Sequence, residues 1–314
     1  MTVKKRIAIT MGDAAGIGPE VIVKSAKIIS KFCEPVMICD GAFLKSQAKK
    51  FRADISGAAL VDLNNITKPV RSGKVSAAAG RAAYEYIVEA VSQALVEDVS
   101  AVVTAPINKE SFSKAGVKFP GHTELLAKLT GTREFAMMLC GGGLRVVLVT
   151  AHAALKDVPK LINEEDVVAK IGLAAEYLGG GLKINRPRIG VAGLNPHAGD
   201  GGIFGTEERK VIIPAIKSAR RKFRNAIITG PVAPDALFFK AKRGEYDAVV
   251  CMYHDQGLVA LKMEAFEEGV NVTLGLPIIR TSPDHGTAFD IAGKGKANPR
   301  SFIEAVKLAV RLAR

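Results

Sequence analysis

The stretch Val146-Val147-Leu148-Val149-Thr150-Ala151-His152 is an apolar run that ends in a histidine. Residues 189–197, which end in His197, and residues 249–254, which end in His254, repeat this arrangement. Apolar runs of about four to eight residues are typical of the buried strands of a parallel sheet. Because ligands bind at the carboxyl ends of such strands, the three histidines predict a common site. Neutral imidazoles bind zinc-like ions, so the pattern predicts a divalent metal with open coordination positions for a substrate.

Strand-like and helix-like segments alternate along the whole chain, which predicts an α/β fold. A chain of 314 residues is too long for one ordinary core and predicts two domains. Neither a repeat nor a low-complexity linker marks a boundary, so we expect a chain that crosses to a second lobe and returns. The active site is then expected in the cleft between the lobes. Predicted strands cover 6–11, 36–39, 101–104, 226–229 and 248–253, and predicted helices cover 19–30, 77–96, 164–177, 206–221 and 301–314.

The formal net charge of +13 is compatible with nucleic acid, an acidic membrane surface or anionic small molecules as partners. The basic residues are mostly scattered, and their densest cluster runs from Lys217 to Arg224. No helix-turn-helix, zinc-finger or RNA-platform signature accompanies them. Tryptophan is absent and aromatic residues make up 6% of the chain, which is poor material for base stacking. The composition therefore favours an anionic small molecule and predicts no nucleic-acid partner.

The sequence also predicts a cytoplasmic protein with no membrane partner. No apolar run approaches the roughly 18 residues that a membrane helix needs. Residues 1–10 pass from a basic patch directly into a strand, without the apolar core of a signal peptide. The four cysteines (Cys33, Cys39, Cys140 and Cys251) show no C-x-x-C spacing, which is typical of reduced thiols.

The glycine-rich segment from Gly12 to Glu20 follows the first predicted strand and opens a helix, with Pro19 in its first turn. Its spacing matches neither the dinucleotide fingerprint G-x-G-x-x-G nor a P-loop. A tight strand-to-helix turn and an anion site at the helix N-terminus both explain it. The segment Gly121-His122-Thr123-Glu124 leaves a similar choice, between a simple helix cap and a group that binds an anion.

Three further segments are polar and rich in glycine: 195–202, 253–257 and the long loop 284–299. Ordering such loops costs conformational entropy, and purely structural loops of the last one's length are uncommon, so they indicate binding. Arg280 ends the apolar stretch 274–279. A guanidinium in that position suits bidentate binding of a phosphate or a carboxylate.

With these segments, nearly the whole chain resembles the 4-hydroxythreonine-4-phosphate dehydrogenase family. The last loop is also similar to the adenine-side loop of isocitrate and isopropylmalate dehydrogenases, which bind NAD without the usual fingerprint. The resemblance implies a two-lobed α/β/α fold with mostly parallel sheets and the active site in the cleft between the lobes. It implies a nucleotide-associated lobe of residues 1–118 plus 270–314, and a metal, substrate and dimerisation lobe of residues 119–269. The matching blocks are 12–20, 121–124, 195–199, 253–257 and 275–277.

The resemblance also implies a role for each candidate residue. His152, His197 and His254 would be metal ligands contributed by both subunits of a homodimer, with zinc as the expected ion and cobalt or magnesium as alternatives. The implied substrate contacts are His122, Thr123, Lys262, Asn271 and Arg280, with Lys262 as the catalytic candidate. NAD would lie along the loop, at His285, Gly286, Asp290, Gly293, Lys294 and Asn298.

The implied reaction is the oxidation by NAD of 4-phosphohydroxy-L-threonine to a β-keto acid. That acid loses carbon dioxide to give 3-amino-2-oxopropyl phosphate, on the way to pyridoxal 5'-phosphate. Ala14 stands where the family commonly has proline, and Ala153-Ala154 where larger residues or proline are usual. Oxidation of 4-phospho-D-threonate or 4-phospho-D-erythronate therefore stays open.

Two alternatives come from other functional classes. One is a phosphate acyltransferase-like transferase on a similar fold, and the other is a non-catalytic binder of phosphorylated metabolites. Neither needs a three-histidine metal site, so the residues favour the dehydrogenase.

Overall fold

The computed structural model describes residues 4–313. The first three residues of the predicted N-terminal segment, and Arg314 of the predicted last helix, lie outside the described residues. The chain divides into two compact units. Unit 1 runs up to Arg133 and resumes at Leu276, and unit 2 is Glu134–Gly275.

These boundaries differ from the predicted ones, which lie at 118/119 and 269/270. The helix His122–Thr130 belongs to unit 1, where it packs against the helix Ala77–Leu95. The strand Val270–Leu274 belongs to unit 2, because it pairs with the strand Ala136–Gly141. The functional names given to the two predicted lobes stay predictions.

Unit 1 is built on a parallel sheet with the strand order β3-β2-β1-β4-β11. The apolar side chains of β1 and β4 are buried on both faces of the sheet. This burial explains why the two segments are continuous apolar runs in the sequence. Thr10 and Thr104 lie opposite each other where β1 and β4 end. The strands are β1 Arg6–Thr10, β2 Glu34–Cys39, β3 Ala59–Asp62, β4 Ala101–Thr104 and β11 Arg280–Pro283.

Six helices lie in the described part of unit 1. As predicted, α1 carries Pro19 in its first turn, where a missing N–H costs nothing. The last helix buries Phe302, Val306 and Ala309 along one stripe, so the predicted amphipathic pattern is confirmed. The helices are α1 Gly18–Ile29, α2 Gly41–Lys50, α3 Ala77–Leu95, α4 Lys109–Lys114, α5 His122–Thr130 and α11 Arg300–Leu312.

Unit 2 is built on a mixed sheet with the strand order β10-β5-β6-β9-β7-β8. The four strands β6, β9, β7 and β8 are parallel to one another, and the pairs β10–β5 and β5–β6 are antiparallel. The mostly parallel α/β fold is therefore confirmed. The strands are β5 Ala136–Gly141, β6 Leu144–Leu148, β7 Arg188–Ala192, β8 Ile227–Val232, β9 Ala248–Cys251 and β10 Val270–Leu274.

The helices of unit 2 follow its parallel strands. The predicted helix 206–221 is a π turn at Glu208–Ile212 followed by an α-helix, because Pro214 has no N–H to donate to the residue four before it. Other single turns lie at Leu155–Asp157 and Tyr177–Gly181. The helices are α6 Val158–Leu161, α7 Glu164–Glu176, α8 Ile213–Lys222, α9 Pro234–Lys242 and α10 His254–Ala265.

Gly80 allows α3 to pack directly against α4. A Cβ added at Gly80 would lie 2.1 Å from the carbonyl oxygen of Ser111. We therefore expect Gly80→Ala to lower the free energy of unfolding by about 1–3 kcal/mol, although alanine normally stabilises a helix. Chemical denaturation measures this change. Gly180→Ala is the control, since its added Cβ meets nothing within 4 Å, and equal stability of the two variants would contradict the expectation.

None of the helices within residues 4–313 has the length and apolar character of a membrane span. All four cysteines are free, and Cys33, Cys39 and Cys251 are buried.

Candidate functional site

His152 and His254 lie side by side in unit 2. Strands β6 and β9 are parallel neighbours with Leu148 opposite Cys251, so the segments that follow them leave the sheet together. Thr150 fastens these segments, because its hydroxyl donates to the carbonyl oxygen of Met252 at 2.7 Å. The two imidazole centroids are 6.2 Å apart. The strand ends therefore bring two of the three predicted ligands together, although β6 ends at Leu148 and not at the predicted His152.

Asp255 orients the His254 ring. Its Oδ1 lies 2.7 Å from Nδ1 of His254. A carboxylate on one ring nitrogen fixes the ring and makes the other nitrogen a better ligand, which is a common arrangement around metal-binding histidines. Nε2 is therefore the ring nitrogen of His254 that points away from this contact.

His197 lies on a separate, unusual turn after β7. The five residues from His197 to Gly201 all have positive φ angles, so the chain forms a left-handed turn there. Buried Glu208 supports the turn, because its Oε1 accepts hydrogen bonds from the amides of Leu194 and Asn195 at 2.8 and 2.7 Å. A non-glycine residue in this conformation is strained, and such strain is common at functional sites. The ring of Phe204 lies beside that of His197, with centroids 6.1 Å apart.

The structure brings two of the three predicted ligands together, His152 and His254. Among residues 4–313, no group of three His, Cys, Asp or Glu side chains could hold a metal ion. The neighbouring imidazoles and the Asp255 contact fit a zinc-like ion in the chemistry of their donors. His197 is not brought to the His152–His254 pair within the chain, so its role as the third ligand stays a prediction.

Lys262 and Asn271, two of the predicted substrate contacts, also lie in unit 2. Lys262 is half-buried on α10, and its Nζ lies 5.4 Å from the centroid of the Phe266 ring. Asn271 lies on β10, and its Oδ1 is buried without a hydrogen-bond partner. A buried amide oxygen without a partner is costly, which indicates that something else binds there.

The other three predicted substrate contacts lie in unit 1. Gly121 is the N-cap of α5, so His122 and Thr123 stand in the first helical turn and neither caps it. Arg280 is 2% exposed, and its Nε and Nη2 donate to the hydroxyl of Thr104 at 3.2 and 2.6 Å. It opens β11, although the sequence indicated only that it ends an apolar run. Burial lowers the pKa of Arg280 to about 9, which leaves the guanidinium charged at neutral pH.

His122 is held neutral. Burial, and secondarily the charge of Arg280, lower the pKa of His122 well below its usual value. Its Nε2 is buried and has no hydrogen-bond partner. A neutral imidazole beside a buried cation can accept from or donate to a ligand without adding repulsion to the guanidinium.

This pKa has a consequence for stability. The unfolded chain binds a proton at His122 as the pH falls through about 6.5, whereas the folded chain does so only at lower pH. We therefore expect the free energy of unfolding to fall between about pH 7 and pH 5 less steeply in His122→Gln than in the wild type. Denaturant titrations at several pH values measure the slope. His197→Gln, which removes an exposed histidine, is the control, and identical slopes for wild type and His122→Gln would count against the assignment.

The six predicted nucleotide residues lie on the loop between β11 and α11. His285 Nδ1 lies 3.1 Å from the carbonyl oxygen of Gly286. Asn298 accepts a hydrogen bond from the amide of Arg300 at 3.0 Å, so part of its role is to start α11. Gly293 has a φ of +73°, and an added Cβ would lie 2.7 Å from Ser72 Oγ, so only glycine fits there. The remaining three, Gly286, Asp290 and Lys294, are exposed.

Comparison with known proteins identifies the family. The sequence profile described as "Pyridoxal phosphate biosynthetic protein PdxA" matches residues 21–309. The chain belongs to the PdxA family. A 4-hydroxythreonine-4-phosphate dehydrogenase of Desulfosudis oleivorans is 47% identical, over 99% of this chain and 96% of its own. A D-threonate 4-phosphate dehydrogenase of Cupriavidus necator is 46% identical, over 98% and 97%. The crystal structure of a Klebsiella pneumoniae 4-hydroxythreonine-4-phosphate dehydrogenase gives a TM-score of 0.90 at 40% identity, covering 100% of this chain and 99% of that chain.

The match to this family confirms the family predicted from the sequence.

Sequence reasoning missed the residues that hold the candidate ligands in place. Thr104, for example, contacts Arg280, and Gln256 accepts from the Met252 amide and donates to the Gly193 carbonyl, both at 2.7 Å. The one available signal was the presence of Gln256 inside the polar block 253–257.

Proposed function

We propose that this PdxA family member is a metal- and NAD-dependent dehydrogenase that oxidises 4-phosphohydroxy-L-threonine, whose product decarboxylates to 3-amino-2-oxopropyl phosphate. The observation that carries the proposal is the facing pair His152 and His254, with Asp255 on the second ring. A transferase that moves an acyl group to phosphate needs no such pair. The family's name and the names of its dehydrogenase relatives support the same reading.

The cofactors would supply the chemistry that side chains lack: a zinc-like ion stabilises negative charge on a substrate oxygen, and NAD accepts the hydride. His152 and His254 would hold the ion, with His197 as third ligand. Arg280 would bind an anionic group of the substrate, since its buried guanidinium has already lost its hydration and a phosphate or carboxylate offsets that cost. His122 would hydrogen-bond the substrate through Nε2, and Asn271 through Oδ1. Thr123 is the remaining proposed contact.

Lys262 would offset substrate charge and move a proton at its Nζ. If proton transfer is its role, Lys262→Ala lowers kcat by about 100-fold or more while substrate affinity stays unchanged. Steady-state kinetics together with a direct substrate titration separate the two quantities. Weaker binding with an unchanged kcat would show that Lys262 only neutralises charge.

The active protein is proposed to be a homodimer whose sites are shared. Helix α10 begins with His254 and carries a bare apolar stripe of Val259, Met263 and Phe266, which are 59%, 85% and 75% exposed. Their spacing of four and three residues places them on one face of the helix. Such a stripe is typical of a protein interface. A second copy seated there would lie close to the histidine pair and could supply the missing ligand.

Complementation between inactive variants tests the shared site. His197→Ala and His254→Ala are each expected to be inactive. If His197 and His254 of one site come from different copies, each mixed dimer regains one intact site. Unfolding and refolding a one-to-one mixture should then restore about one quarter of wild-type activity. No recovery, with dimers confirmed by light scattering, would place both histidines in the same copy.

The second candidate function is the oxidation of 4-phospho-D-threonate or 4-phospho-D-erythronate. The relatives of the two names match the chain almost equally well, which is the observation that favours this alternative. The test compares kcat/KM for the amino acid and for the two amine-free acids. A higher value for 4-phosphohydroxy-L-threonine supports the proposal, and turnover of only the amine-free acids would replace it.

The remaining expectations are part of the same proposal. NAD would bind along the loop from His285 to Asn298. The preferred ion is zinc, with cobalt or magnesium as alternatives, and the compartment is the cytoplasm. Each of these stays a prediction.

A further inference from the structure

The loop 284–299 depends on side chains from elsewhere in unit 1 for its shape. Its own backbone bonds include two local turns, in which Ile291 donates to Ala288 and Lys294 to Ile291, both at 3.1 Å. Gly293 and Gly295 both have a φ of +73°, a conformation that free chains leave easily. Fixed contacts are therefore needed to keep the segment 293–297 in one conformation.

Glu20 provides two of these contacts from 275 residues away in the chain. It is 1% exposed. Its Oε1 accepts a hydrogen bond from the amide of Ala297 at 2.8 Å, and its Oε2 accepts one from the amide of Gly295 at 3.2 Å. A single carboxylate thus binds both amides on either side of Lys296.

Lys24, one helical turn along α1, completes the arrangement. Its Nζ donates to Oε1 of Glu20 at 2.6 Å and to the carbonyl oxygens of Gly295 and Ala297 at 2.8 and 3.0 Å. The pair therefore binds the N–H and the C=O of both loop residues. Three donors around Glu20 also offset the large cost of burying a carboxylate.

A glutamate in the first turn of a helix commonly serves only the helix dipole. That role needs neither burial nor a distant partner. The Glu20 carboxylate is buried and binds the amides of another segment of the chain. The glycine-rich segment also holds the other end of the loop. Ile17 donates to the carbonyl oxygen of Thr287 at 3.0 Å, and a Cβ on Gly16 would lie 2.9 Å from the Thr287 Cβ. Besides the turn and the anion site considered from the sequence, the segment from Gly12 to Glu20 therefore has a further role, which is to support the loop.

We propose that Glu20 is a positioning residue for the nucleotide, acting with Lys24 to hold the backbone of Gly295 and Ala297 in the conformation that binds NAD. The inference rests on the proposed function, because that function places NAD on this loop. Glu20 itself would not touch the nucleotide.

The test is Glu20→Gln, which keeps the size of the side chain but loses the charge and one of the two acceptors. We expect the Kd for NAD, measured by calorimetry without substrate, to rise about 10-fold or more, because charge-assisted hydrogen bonds are lost. The KM for NAD should rise in parallel, while kcat at saturating NAD and the KM for the phosphorylated acid stay within about twofold. Hydrogen exchange at the amides of Gly295 and Ala297 should become about 10-fold faster.

Two more variants keep the test decisive. Lys24→Met removes the two carbonyl contacts and the ion pair with Glu20, but it leaves both amide contacts of Glu20 in place. A smaller rise of about threefold in the Kd for NAD is therefore expected, and this variant serves if Glu20→Gln does not fold. Lys27→Met changes an exposed lysine on the same helix and should leave the Kd for NAD and the amide exchange unchanged.

Unchanged NAD affinity and amide exchange in Glu20→Gln would overturn the inference, and so would a fall in kcat alone. If the wild-type protein itself binds no NAD, the proposed function fails and this inference fails with it. The two failures are distinguishable. A wrong proposed function shows as a wild-type protein that binds no NAD, whereas a wrong role for Glu20 shows as a wild type and a Glu20→Gln variant that bind NAD equally well.

Discussion

His254→Ala is expected to lower kcat for NAD reduction by about 1,000-fold or more. The substitution removes one of two imidazoles whose centroids lie 6.2 Å apart, and with it one of the proposed metal ligands. Charge stabilisation by a bound ion amounts to several kcal/mol of the barrier, and each 1.4 kcal/mol corresponds to a factor of about ten in rate. The measurement is steady-state kinetics together with the metal content of the purified protein, which should fall in the same variant.

Two companion variants calibrate this result. Asp255→Asn keeps the ring but weakens its orientation, so a fall of about 10–100-fold is expected. Lys156→Ala changes an exposed side chain four residues beyond His152 and should have no effect on kcat. A His254→Ala protein that retains a tenth of the activity and its metal would show that the histidine pair is structural.

Arg280→Lys is expected to lower kcat/KM for the phosphorylated acid by about 100-fold or more. Lysine keeps the positive charge but cannot present two parallel donors, and it loses the two hydrogen bonds that position the guanidinium on Thr104. Losing a buried hydrogen bond to a charged group costs about 1.5–3 kcal/mol, and a bidentate pair comprises two. Because the contact is made in both the ground state and the transition state, most of the loss should appear in KM.

The control compares substrates as well as variants. Arg133→Lys alters an exposed arginine and should leave kcat/KM unchanged. The substrate without its phosphate distinguishes the anionic group that Arg280 binds. If the variant and the wild type differ equally with both substrates, Arg280 binds the carboxylate, and a difference only with the phosphorylated acid assigns it to the phosphate. No difference with either would remove Arg280 from the substrate site.

The histidine pair shows which features a sequence can predict well. Parallel strands all end at the same edge of the sheet, so the residues that follow them lie close together. Apolar runs that end in histidine therefore predict neighbouring imidazoles, and His152 and His254 are neighbours. The prediction assumed three equivalent strand ends. His197 instead lies on the left-handed turn that follows β7. A pattern of apolar residues does not predict such a turn.

Contacts between distant segments were outside the reach of the sequence. Glu20 reads as an ordinary acidic residue in a first helical turn, and only the folded chain shows that it binds amides 275 residues away. The predicted boundary at 269/270 separates strand β10 from β5, whereas the two strands pair in the structure. Antiparallel pairing depends on the partner strand, so the residues of β10 alone do not predict it. The buried amide oxygen of Asn271 likewise becomes informative only when its surroundings are known.

The central claim is that NAD reduction by this protein depends on a divalent metal. The most direct measurement follows the ultraviolet absorbance of NADH with 4-phosphohydroxy-L-threonine before chelation, after chelation and after zinc is restored. We predict turnover that chelation abolishes and zinc restores, because the His152–His254 pair then regains its ion. Turnover that survives complete metal removal, or no NAD reduction with any phosphorylated four-carbon hydroxy acid, would contradict the account.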